Sequence, residues 1–101
     1  MYRRLRLCSG NGGYEALPVT PMTLDLGRAK AALEGEGIRV VDARVLLIVS
    51  LAPEVTLSRA GRLLFKTRDA TEAQHAFERL RTLLALPPME PGDEGAVRSP
   101  P

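Results

Sequence analysis

Hydrophobic and polar positions fall into short alternating runs and two helical stripes. Near the start, Leu5 and Leu7 alternate with Arg4 and Arg6. That period of two predicts an N-terminal strand within 1–8. Gly10, Gly12, Gly13, Pro18 and Pro21 punctuate 9–22 and predict a loop. Leu26, Ala29 and Leu33 share one face of a helix, with Thr23 as its cap, Asp25 in its first turn, and Gly35 and Gly37 at its end. Residues 38–51 are rich in β-branched side chains but too long for one strand. Asp42-Ala43-Arg44 predicts a bend that divides them in two. Val55 and Leu57 then alternate with Glu54, Thr56 and Ser58. Arg59-Ala60-Gly61 predicts a tight hairpin turn before a last strand over 62–67. Asp69 and Glu72 form a capping box ahead of an apolar stripe of Ala73, Ala76, Phe77, Leu80, Leu83 and Leu84.

The predicted order is β-α-β-β-β-β-α. Strands joined by tight turns are antiparallel. Two amphipathic helices must bury their stripes on one sheet face, so the fold class is an α+β two-layer sandwich with four to five antiparallel strands. The domain is expected to span 1–86. The Pro/Gly/acidic composition of 87–101 predicts a disordered tail.

Parity then sorts the sheet. Val45, Leu47, Val49, Val55, Leu57, Leu63 and Phe65 are expected to face the helices. Arg44, Leu46, Ile48, Ser50, Thr56, Ser58, Arg62, Leu64 and Lys66 are expected on the open face. A solvated face is normally polar throughout. This one puts Leu46, Ile48 and Leu64 among Arg44, Arg62 and Lys66, with Arg68 just beyond, and an apolar patch with a polar rim marks an interaction. The expected partner is a second copy (a homodimer) or another protein. The alternative is DNA or RNA, with the cations on phosphates and the apolar residues on sugars or bases.

Composition narrows the class without choosing between these partners. Of 101 residues, 45% are hydrophobic and 26% charged, which suits one small globular domain. No apolar run approaches the roughly 20 residues of a membrane span, and one cysteine excludes an internal disulfide. A cytoplasmic, non-membrane protein is expected. The net charge of +2 is too small to name a partner. Arginine-rich, amide-poor composition fits a thermophile, and a GC-rich genome gives the same bias.

Catalytic signatures are weak. Gly10, Gly12 and Gly13 follow a strand and could form a backbone nest for an anion, but the loop lacks both G-x-G-x-x-G and a Walker motif. His75 reads as a helix-surface residue, Cys8 as a small apolar side chain at a strand end. One cysteine and one histidine cannot build a four-ligand zinc site. No enzyme and no cofactor are expected. A small ligand binder or enzyme using the glycine loop is the alternative.

The run Pro53-Glu54-Val55-Thr56-Leu57-Ser58-Arg59-Ala60-Gly61-Arg62-Leu63-Leu64-Phe65-Lys66-Thr67, followed by a capped helix, resembles one half of the TATA-box-binding protein. That family has strand, helix, four strands and helix in each half, and binds DNA with its open sheet face. The resemblance implies such a half-saddle here. It departs in two ways. There is no second half-repeat, so a saddle needs two copies. The family's phenylalanine wedge three residues before the turn glycine is Ser58 here, which removes that means of kinking DNA.

Overall fold

A computed structural model describes residues 1–8 and 12–90. Its elements are β1 (Arg6–Cys8), β2 (Gly13–Ala16), α1 (Leu26–Gly35), β3 (Val40–Asp42), β4 (Leu46–Val49), β5 (Val55–Ser58), β6 (Leu63–Phe65) and α2 (Ala70–Leu84). The six strands form one antiparallel sheet in the order β1-β2-β6-β5-β4-β3. Leu26, Ala29 and Leu33 of α1 and Ala73, Ala76, Phe77 and Leu80 of α2 join one core with Leu47, Val49, Val55, Leu57, Leu63 and Phe65 of the sheet. Both helices therefore cover the same face, and the class is α+β.

The strand count exceeds the expected four to five because 9–22 is not all loop. Gly13–Ala16 is β2, paired with β1 on one side and β6 on the other. Its alternation is only four residues long, and the flanking glycines and Pro18 mask it. Of the tail expected over 87–101, residues 87–90 lie against the rest of the domain. Leu86 is buried, Met89 packs against the core, and Tyr2 bridges Met89 in parallel while bridging Pro18 on its other side. Residues 91–101, the rest of the expected tail, lie outside the described residues.

Tyr2 explains why the N-terminus is held. Its ring is buried edge-on against Phe77, 5.3 Å between centroids, and its hydroxyl donates to the Gly61 carbonyl at 2.7 Å. Burial pushes its pKa up from 10.0 to about 12. Gly61 has φ +88°, and a side chain there would press on Met22. The β5–β6 turn thus needs glycine for its backbone and for its neighbours.

The helix caps differ in detail from expectation. Asp25, not Thr23, caps α1, because its carboxylate reaches the Arg28 amide at 3.0 Å. Asp69 caps α2 as expected, accepting from Thr71 and Glu72 amides. Glu72 closes the box through a relay. Its carboxylate accepts from the Thr67 hydroxyl, which accepts from the Asp69 amide.

The candidate interaction face

The side of the sheet away from the helices is crossed by one row of paired residues. Val41 lies opposite Ile48, Ile48 opposite Thr56, Thr56 opposite Leu64, Leu64 opposite Glu15, and Glu15 opposite Arg6. A second row pairs Leu46 with Ser58, beside Arg62, whose amide donates to Ser58 Oγ at 3.1 Å. The β3–β4 end of the face is apolar and the β1–β2 end is charged. Leu46, Ile48, Thr56, Ser58, Arg62 and Leu64 are half-buried, while Val41 is 50% exposed.

Glu15 organises the charged end. It is only 7% exposed and accepts from Arg6 at 2.7 Å and Arg62 at 2.8 Å. The Arg6 hydrogen bond first, and the Arg62 bond next, hold its carboxyl below the ordinary range, outweighing burial. Arg3, Arg4 and Arg6 line a small depression with Glu15 and Leu17. They come together because the first strand carries an extra residue. Tyr2 bridges Pro18 and Arg6 pairs Glu15, so three residues on one side oppose two on the other, a bulge.

The expected site residues divide into three groups. Leu46, Ile48, Arg62 and Leu64 share the open face. Lys66 continues it at the end of β6, within 3.5 Å of Glu54. Two cations expected to meet a partner's phosphates thus already have carboxylate neighbours.

Arg44 is elsewhere. It occupies the β3–β4 turn at φ +74°, where the Val45 amide donates to the Ala43 carbonyl and Asp42 Oδ1 accepts from the Arg44 amide. This is a γ-turn in the strained left-handed region. Arg44 borders a shallow depression with Asp42, Arg59 and the start of α1. The same turn overturns the parity expected for Val45, which is 71% exposed instead of facing the helices. Arg68 is exposed at the other end of the molecule, its guanidinium near Gly12.

Of the candidate anion loop, Gly10 lies outside the described residues and Gly12 has φ +65°. Gly13 belongs to β2, where a Cβ would collide with the Phe65 carbonyl oxygen. Its glycine is explained by close strand packing. His75 is exposed on α2, bordering a shallow groove with Leu51, Ala52 and Arg79. Among the described residues no His, Cys, Asp and Glu cluster could hold a metal, and no helix is long and apolar enough to cross a membrane.

Sequence reasoning missed Val41, Glu15 and the arginines Arg3, Arg4 and Arg6 as members of this face. Parity counted through 38–49 sets Val41 with Leu47 and Val49 on the helix side, and only the turn at Arg44, which reverses the count, puts it opposite Ile48 on the open face. Glu15 needed β2 to be recognised first. Compared with known proteins, the chain matches no family model, no curated protein and no solved structure.

Proposed function

We propose that the protein is a non-enzymatic module that docks a protein partner, a second copy or a subunit of a complex, through the open face of its sheet. One observation carries this reading. Val41, Ile48, Thr56 and Leu64 run as a continuous strip across four strands that no helix covers. The charged end supplies orientation, since Arg3, Arg4, Arg6 and Arg62 outnumber Glu15 there and suit an acidic rim on the partner. Leu64→Glu puts a carboxylate in the middle of the strip. It should abolish association with the partner while leaving the far-ultraviolet dichroism unchanged. Association that still covers the strip in Leu64→Glu would reject the reading.

The same arginines favour direct nucleic-acid contact as the second reading, and the resemblance of 53–67 to half of the TATA-box-binding protein supports it. Such binding would be led by charge and shape, because few side chains of the strip can read a base edge. Light scattering with a mixed RNA and DNA oligonucleotide pool separates the two. A mass increase at low salt that disappears at physiological salt supports nucleic acid. No shift at either salt supports a protein partner.

A further inference from the structure

We infer that two copies of this chain pair antiparallel through their β3 edges, about a two-fold axis at Val41, leaving both open faces free. The sheet ends at β1 on one side and β3 on the other. The two edges differ. Arg3, Arg4 and Arg6 lie along the N-terminal strand, the charge that commonly blocks edge pairing. β3 reads Val40-Val41-Asp42, without Lys, Arg or Pro in the strand itself, although the exposed Arg39 and Arg44 flank it.

The ladder fixes which groups β3 offers. Ala43 donates to the Leu46 carbonyl, and the Arg39 carbonyl accepts from Ser50. Odd-numbered residues therefore bond inward to β4, and the amides and carbonyls of Val40 and Asp42 point to the free edge. These two residues flank Val41 symmetrically. A copy rotated about Val41 sets Val40 against the other copy's Asp42 twice over, in two hydrogen-bonded pairs, with the Val41 side chains opposite each other. Val41 and Val45 are two of the five exposed large hydrophobic residues among the described ones, and both lie in the β3–β4 hairpin.

The Arg3, Arg4 and Arg6 cluster also stays clear of this edge. The arginine cluster stands five strands from β3, about 24 Å at ordinary strand spacing. Across the new axis the clusters lie farther apart still, well beyond the screening length of roughly 8 Å at physiological salt. Three-residue edges bury little area, so the dimer is weak and concentration-dependent.

Sedimentation of the full chain from about 1 µM to about 1 mM, the range of weak association, tests this. The mass should rise from 11.0 kDa towards twice that value. Hydrogen exchange at the amides of Val40 and Asp42 should slow as concentration rises. Val41→Lys sets like charges together at the axis and should hold the chain at the monomer mass, whereas Leu64→Glu should still dimerise. A constant monomer mass, a dimer with those amides unprotected, or a dimer that survives Val41→Lys would each overturn the inference. Loss of association in Leu64→Glu would assign self-association to the open face instead, whatever Val41→Lys does, since Val41 also belongs to that strip, sparing the proposed function while rejecting the edge pairing.

Discussion

Glu15 is the one charged side chain among the described residues that is taken out of water. Of its two arginine partners, Arg6 keeps most of its exposure and Arg62 less than half. The pair energies are therefore modest, and the larger effect is on protonation. A carboxyl whose folded pKa lies below its ordinary 4.5 stabilises the fold fully above that value. The contribution is lost as pH falls through the folded pKa. Glu15→Gln should lower stability by about 1 kcal/mol at pH 7. The gap between variant and parent should close in acid. Urea unfolding at pH 7 and at successively lower pH measures both.

At the scale of elements, α2 is the segment whose local signals agree best with its structure. Asp69→Ala removes acceptors from two amides and should cost about 1 kcal/mol, read as a shift of the urea midpoint at constant slope. The strong periodicities of 54–84 were legible because cap, turn glycine and apolar stripe all point the same way. β2 was not, since Tyr14 and Ala16 give one alternation between glycines and a proline, and its pairing with β6 is set half a chain away. The open face followed from parity as far as Leu46, Ile48 and Leu64. Parity failed at Arg44 and Val45 because a γ-turn interrupts the strand, and a count of two cannot cross a residue at positive φ.

For the molecule as a whole, Tyr2 joins parts that the sequence keeps far apart: the bridge to Pro18, the β5–β6 turn at Gly61, Phe77 of α2 and the bridge to Met89. A phenol whose folded pKa is raised from 10.0 to about 12 contributes fully below pH 10 and loses that contribution as pH rises through 12. Tyr2→Phe should cost about 1–2 kcal/mol at neutral pH, because the buried Gly61 carbonyl loses its donor. It should also remove the part of alkaline unfolding that falls between those two pH values. Dichroism-monitored unfolding across neutral and alkaline pH measures both effects.

The ladder between β2 and β6 has a kinetic side. The β3–β6 meander closes through short turns alone, each at small entropic cost. β2 has its partner β1 close by in sequence, but its place in the sheet exists only once β6 has formed. Closing that long loop should make the joining of hairpin to meander the slow, entropy-limited step of refolding, so a substitution that weakens the β2–β6 pairing should slow refolding more than one in the β3–β4 turn.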